Sequence, residues 1–324
     1  MILNFTCTEK FKPALISVIL LVFLLVSFTS MAIAQKVELN VGTAGMGGAY
    51  YPMGQALGNV ASKYVDEVSL VPVVTGGSVE NPRLISEGNV DFAITNANMG
   101  YFAVQGSGNY QSKLDISAVI PLHPSLLHII TLADSPIKSF ADIKGKKVGV
   151  GTAGGGTISF INVLLKEYEM SIDDFTPSFL SYADQFTQLG DRNLDICFML
   201  AGYPASAATQ ITATHDIKFI HLEEEHLNNL LEEYPYYTRI VVPKEVYGLE
   251  KDAVAIGVSN ILIARNDLDE ELVYNVTKAI CEHLEEAAET YSTASQIDLS
   301  RAQEMTVPFH PGAERYLKEA GYLK

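Results

Sequence analysis

The sequence predicts an α/β protein of two similar lobes, each built on a parallel sheet and joined to the other by hinge strands. Two observations carry this. Val41–Gly48 reads VGTAGMGG and Val150–Thr157 reads VGTAGGGT, near copies that each follow a β-like run and precede a helix-like run. The order strand, glycine turn, helix, strand, short helix and Gly-to-Asp-to-strand then follows both copies, which is the pattern of parallel sheets with crossover helices.

The elements follow in chain order. Lys10 and Lys12, the apolar run Ala14–Phe28 and Ala32-Ile33-Ala34 before Gln35 read as a secretion signal over residues 1–34, cleaved after Ala34 and sending the chain to the periplasm. An uncleaved anchor is the other reading, although the apolar run is short for a bilayer span. Strand Val37–Val41 leads through the first glycine turn to a helix over Pro52–Val65, with Met53, Leu57, Val60 and Tyr64 on one face. Leu70–Val74 is the next strand. Pro72 within it cannot donate to a ladder, which places it at a sheet edge, as in flavodoxin-like order 2-1-3-4-5. A short helix near Arg83–Ser86 and the strand Val90–Ile94 complete the first repeat.

In the second repeat Ile158–Tyr168 is helical and Ser178–Leu180 strand-like. A short helix around Asp184–Leu189 then leads to the strand Leu194–Phe198. Leu126–Leu132 and Val258–Ala264 read as antiparallel hinge strands, and Glu270–Glu289 as one long amphipathic helix. Lobe one is therefore expected at 35–125 with 255–324, and lobe two at 126–254. Closure about the hinge is the expected motion.

Glycine turns at the carboxyl ends of strands let backbone N–H groups approach a ligand, and the following helix terminus favours negative charge. The expected anion contacts are Gly45, Gly47 and Gly48 in the first turn and Gly154, Gly155, Gly156 and Thr157 in the second. Tyr50 or Tyr51 faces the ligand. Thr75, Gly77 and Ser78 end the second strand, with Ser78 or Asn81 capping the helix behind it, and Arg83 is a candidate carboxylate clamp. Asn96 and Tyr203 occupy matching places beyond the third strand of each repeat, and Tyr237 supplies a further wall.

A formal net charge of −16 argues against nucleic acid, whose binding rests on phosphate neutralisation. No nucleotide cofactor is indicated. GxGxxG fails because Tyr50 and Ser159 stand where the third glycine belongs, and a P-loop fails for want of its lysine. His123/His128 and His221/His226 differ by five, a poor metal-ligand spacing, so no metal is expected. No nucleophile elbow or carboxylate pair marks an enzyme; Asp184 and His128 are the only bases to test. Cys197 and Cys281 read as buried thiols, a disulfide being the alternative.

GTAGMGGAYYPMGQAL (Gly42–Leu57), TGGSVEN (Thr75–Asn81), IKSFADIKGKKVGVGTAGGGT (Ile137–Thr157), AGYP (Ala201–Pro204), YPYYTRIVVP (Tyr234–Pro243) and VPFHPGAERYLKEAG (Val307–Gly321) together make the chain resemble the TAXI family. These are solute-binding subunits of tripartite ATP-independent periplasmic (TRAP) transporters. The resemblance implies a bilobal periplasmic-binding-protein fold, type II-like, and no enzymatic activity. It further implies capture of a small carboxylate such as glutamate or 2-oxoglutarate and delivery to TRAP membrane subunits. Pro82 and the stretch Thr95–Asn98 depart from the family's usual residues beside the cleft. A ligand-sensing protein for a membrane kinase, or a secreted α/β enzyme on a small acid, are the competing readings.

Overall fold

A computed structural model describes residues 36–234 and 236–324; the predicted signal, 1–34, lies outside them. The elements are β1 (Val37–Gly42), α1 (Tyr50–Tyr64), β2 (Val68–Val73), α2 (Asn81–Ser86), β3 (Phe92–Asn96), α3 (Ala97–Gln105) and the long β4 (Ser117–Leu132). Then come β5 (Lys147–Gly149), α4 (Gly156–Glu167), β6 (Thr176–Ser178), α5 (Tyr182–Gly190), β7 (Ile196–Ala201), α6 (Ser206–Thr212), β8 (Ile217–Phe219) and α7 (Glu224–Glu233). Finally β9 (Tyr237–Val242), β10 (Ala253–Ala264), α8 (Glu270–Glu282), α9 (Leu284–Thr290) and α10 (Pro311–Glu319) close the chain.

The strands form a continuous mixed sheet in the order β2-β1-β3-β10-β4-β7-β5-β6, with β8 added to β4 and β9 to β10. Within it, β2-β1-β3 and β6-β5-β7 are parallel triplets, and each is bordered by a long antiparallel strand. The same 2-1-3 order is thus laid down twice. Pro72 sits at the β2 edge as expected, and Pro177 of β6 takes the matching edge of the second half. Where each outermost strand lacks an outer neighbour, a missing N–H costs no ladder bond.

The repeated Gly-to-Asp segment now has a physical reason. Asp91 accepts the Asn40 N–H at its Oδ2 (2.8 Å) and donates its own N–H to Asn40 O (3.1 Å). Asp195 does the same with Lys147, at 2.7 and 2.9 Å. In each half the aspartate ahead of the third strand satisfies the backbone of the first and fixes the parallel register.

The crossing strands are longer than the sequence suggests. β4 and β10 pair antiparallel from Ser117↔Ala264 to Leu126↔Gly257, with register shifts between Ser259 and Ile261 and again between Leu262 and Ile263. Pro121 and Pro124 hid the first half of β4 from a reading by apolar run. Irregular pairing is where prolines are tolerated inside a sheet. The expected single helix at 270–289 breaks at His283, whose ring stacks on Tyr64 with centroids 3.6 Å apart.

Apolar side chains bury in separate clusters. One gathers Val41, Met53, Leu57, Val60 and Phe92 with Leu262, Val276 and Leu317. Another gathers Leu127, Phe140, Phe160, Leu164 and Phe198 with Val258. Each large aliphatic or aromatic group buried there contributes about 1.5–3 kcal/mol. Both Cys197 and Cys281 are free thiols, Cys197 fully buried against Gln185 O.

Candidate functional site

Each glycine turn is held by an amide side chain from the short helix behind it. In the first half Asn81, fully buried, donates from Nδ2 to Thr43 O (2.7 Å), Ile94 O (2.6 Å) and Gly42 O (3.3 Å), and accepts Thr75 Oγ1–H at 2.6 Å. In the second half Gln185, also fully buried, donates to Phe198 O (2.9 Å) and accepts the Gly151 N–H at 3.1 Å. Each amide ties the end of the first strand to the end of the third, because one such group donates and accepts at once.

The two turns face one another across a cleft lined by Gly45, Gly48, Tyr50, Ser78, Thr152, Gly156, Tyr182 and Leu200, among others. None of the lining residues is cationic. The halves touch directly. Val79 and Glu80 donate N–H bonds to Gly154 O (3.0 and 3.2 Å), and Thr152 Oγ1 donates to Gly76 O at 2.7 Å. Ala183 and Ala207 donate to Met46 O (3.2 Å) and Gly47 O (3.0 Å). Gly47 has φ +96°, and a Cβ there would meet Ala183 N at 2.6 Å, so both its conformation and its close approach require glycine. The enclosed space is about 20 Å³ for the centres of water-sized spheres, room for a water or a small polar group.

The N–H groups of Gly45, Met46, Gly47, Gly48 and Ser78 find no acceptor among the described residues. Gly156 and Thr157 open the first turn of α4, where helix geometry leaves N–H groups unpaired. Of these residues Gly45, Gly48 and Ser78 line the cleft from one half and Gly156 from the other.

Beneath them lies a polar network that reaches the hinge strands. Tyr50 Oη donates to Asn260 Oδ1 (2.7 Å) and pairs with Ser78 Oγ (2.8 Å), while Asn96 Nδ2 donates to both Tyr50 Oη (3.1 Å) and Asn260 Oδ1 (2.8 Å). Asn260 in turn donates to His123 O (2.7 Å) and Ser125 Oγ (2.8 Å). Burial pushes the Tyr50 phenol well above its usual pKa, so it stays a hydroxyl donor.

A model of the NMT1-like family matches residues 41–321. The chain belongs to the NMT1-like family. Among solved structures, MatC from Rhodopseudomonas palustris with bound malate is similar at 12% identity, covering 87% of this chain and 96% of that one with a TM-score of 0.56. A protein from Bordetella bronchiseptica RB50 shares 12% identity over 88% of this chain and 98% of its own, with a TM-score of 0.50. The alkanesulfonate-binding protein SsuA from Xanthomonas axonopodis pv. citri, bound to MOPS, shares 16% identity over 88% and 84%, at 0.48. At these identities the likeness is one of fold, and the fold of this NMT1-like chain is the α/β periplasmic-binding-protein fold.

In this NMT1-like chain the structure brings Gly45, Gly48, Tyr50, Gly77, Ser78, Gly155 and Gly156 to the cleft wall. Gly47 and Gly154 serve the contact between the halves. Asn96 reaches the cleft floor, and a Cβ at Gly156 would lie 2.3 Å from its Oδ1. Thr157 points back, pairing its hydroxyl with Tyr182 Oη (2.6 Å) and accepting the Leu200 N–H at 3.1 Å.

Other expected positions are corrected. The Thr75 hydroxyl is used internally, its one proton lying between Asn81 Oδ1 (2.6 Å) and Thr43 O (2.9 Å) while its oxygen accepts the Gly77 N–H (3.1 Å). The Gly76 N–H is taken by the Glu80 carboxylate. The turn after β2 therefore offers mainly the Ser78 N–H. Neither Ser78 nor Asn81 caps α2, whose N-cap is Glu80 without a side-chain bond. Asn81 is a clamp within the fold. Arg83 turns outward, donating to Asn109 O (2.7 Å) and lying over the Tyr110 ring. Tyr51 is half-buried beside the turn but outside the cleft wall. Tyr203 packs against the second half's core and accepts from Gln296 at its carbonyl. Tyr237 is buried, its ring stacked on Phe160 with centroids 4.3 Å apart. Tyr203 was read by its order after a strand, whereas only the direction of the side chain decides.

Thr152, a small hydroxyl of the second glycine turn, lines the cleft, and Tyr182 escaped notice. Tyr182 opens α5 one residue after Ser181, and its place in the short-helix start is the counterpart of the Val79–Glu80 approach in the first half. Asp184 pairs with Ser181 at that helix start, accepting its hydroxyl at 2.6 Å. His128 sits in β4 opposite Met199 of β7, its Nδ1 against Leu126 O and Met199 O and its Nε2 against Tyr247 Oη at 3.0 Å. Neither lines the cleft.

Burial pushes the His128 imidazole down from 6.5 to about 4 and that of His123, both of whose ring nitrogens lack a partner among the described residues, to about 3. Their stabilising effect is complete above the unfolded pKa near 6.5. It is lost as pH falls toward the folded values, because the unfolded chain binds the protons first. His123→Leu removes one such group without orphaning a partner. Urea unfolding of this variant should lose about 2 kcal/mol less between pH 7 and pH 5 than the parent chain does. Equal losses would place His123 in contact with solvent.

Proposed function

We propose that this chain is a periplasmic solute-binding protein that captures a small organic acid or acidic amino acid, glutamate- or 2-oxoglutarate-like, by lobe closure. In this reading it is a TAXI-family subunit that hands its ligand to TRAP membrane subunits. The observation that carries the proposal is the convergence of unpaired amides from two matching glycine turns on one cleft. The malate held by MatC, a protein of the same fold, agrees with a small carboxylate. Lobes at 35–125 with 255–324 and at 126–254 follow the division of the apolar clusters except in β10, where Ile256 and Val258 pack with the second.

A ligand carboxylate would accept from the Gly45–Gly48 amides, Ser78 N–H and the first turn of α4. Charge-assisted hydrogen bonds contribute about 1.5–3 kcal/mol each, and a helix terminus up to about 2 kcal/mol when partly buried. Micromolar affinity needs about 8 kcal/mol in total. Four or five such contacts reach it after ordering costs, without a lysine or arginine. Tyr50 and Tyr182 supply the walls. The space between the touching halves is too small for glutamate, so binding requires the β4–β10 crossing to open first and close around the ligand.

A thermal-shift screen of dicarboxylates, keto acids and acidic amino acids tests this. At least one should raise Tm in a concentration-dependent way, since only the folded state binds. No shift with any of them would remove the carboxylate from the proposal.

A further inference from the structure

Behind the hinge lies a second cavity, of about 570 Å³. Side chains alternate across a strand. Asn260 of β10 joins the cleft network, whereas its neighbours Ser259 and Ile261 line this cavity on the opposite face. The cavity also spans both halves of the molecule. Tyr101 of α3 and Val307 come from the first and Tyr236 from the second, where Tyr236 meets Phe102 edge-on with centroids 6.0 Å apart.

Two polar groups in its wall have unused donors. Asn98 is only 4% exposed; its Oδ1 accepts the Met99 N–H, and its NH2 donates to no acceptor among the described residues. Arg301 donates from Nε to Glu304 at 3.0 Å, and its terminal NH2 groups have no partner among the described residues. A guanidinium fork and a buried amide fit a carboxylate. Glu304 beside them disfavours a second negative charge. Tyr101, Tyr236, Ile261 and Val307 offer an aromatic and aliphatic surface for the rest of the ligand, in a volume usual for small-molecule sites.

We propose that this cavity is a second binding site, for a small monocarboxylate with an apolar body, seated with its carboxylate on Arg301 and Asn98 and its body against the tyrosines. Such a ligand touches both halves at the hinge, on the face away from the cleft. The site stands independently of which solute the cleft takes.

Phenylacetate is a suitable probe, with 2-phenylethanol as its uncharged counterpart, titrated into the full chain by calorimetry. Phenylacetate should bind at millimolar or lower concentration, more tightly than the alcohol. Arg301→Met should weaken it about tenfold, the loss of one charge-assisted pair. Arg301 is partly exposed, so this variant should fold, and an unchanged Tm would verify that. An excess of the solute found by thermal shift, which fills the cleft, should not displace phenylacetate. Absence of binding, indifference to Arg301→Met, or displacement by that solute would each overturn the proposal; the last would place phenylacetate in the cleft.

Discussion

Gly156→Ala should abolish solute capture while leaving the unliganded fold nearly as stable as before. The added Cβ would stand 2.3 Å from Asn96 Oδ1, 3.1 Å from Leu200 Cδ2 and 3.3 Å from Ser78 Cβ. Asn96 and Ser78 belong to the other half of the molecule, and Asn96 is held rigidly by Tyr50 and Asn260. The severe clash, with Asn96, therefore exists only when the halves meet, while Leu200 Cδ2 of the same half is the end of a flexible side chain that can give way. Separating them relieves it at little cost to either core, and alanine suits the first turn of a helix better than glycine does. The expected result is affinity for the solute found by thermal shift reduced at least about 100-fold, equivalent to about 2.7 kcal/mol. Tm without ligand should shift by only a few degrees. Small-angle scattering should show the parent chain compacting on ligand addition and the variant unchanged. Binding at parental strength would mean that the halves need not approach this closely, and the cleft would lose its role.

The parallel triplets were legible in the sequence because their signals are local. A β-branched run ending in VGT, a proline suited only to an edge, and an aspartate before each third strand fix order and register together. The crossing strands were only half legible, since Pro121 and Pro124 interrupt an apolar pattern that irregular pairing restores in three dimensions. The glycine turns were legible as places of close approach for the same reason that they recur: such approach demands the absence of a Cβ. What sequence could not supply was the division of labour among polar side chains. Thr75, Asn81 and Thr157 have the chemistry of ligand contacts, yet their hydrogen bonds are spent within the fold. Conversely, Tyr182 reads as an ordinary helix start until α5 is brought against the first turn, where a Cβ on Gly48 would lie 2.9 Å from its ring. Asn260, far along the chain from Tyr50, joins the cleft only because β10 runs between β3 and β4.

Asn81→Ala separates those two kinds of residue most sharply. A ligand contact on the cleft surface would lose affinity and little stability. The geometry predicts the opposite. Removing the amide takes a donor from the carbonyls of Gly42, Thr43 and Ile94 in a fully buried place. Unsatisfied buried groups of this kind cost about 1–3 kcal/mol each when not rescued by water. Part of this overlaps with backbone pairing, so a net loss of about 3 kcal/mol in urea unfolding is expected. Asn81→Asp should do at least as badly, because it sets a carboxylate against carbonyl oxygens it cannot accept from. Gln185→Ala should show a smaller loss, since Gln185 makes one donor and one acceptor bond where Asn81 makes four contacts. Below each variant's unfolding range, affinity for the solute should stay within a few-fold of the parent. If Asn81→Ala instead kept its stability and lost its ligand, Asn81 would be returned to the binding site and the clamp shared by the two halves would be wrong.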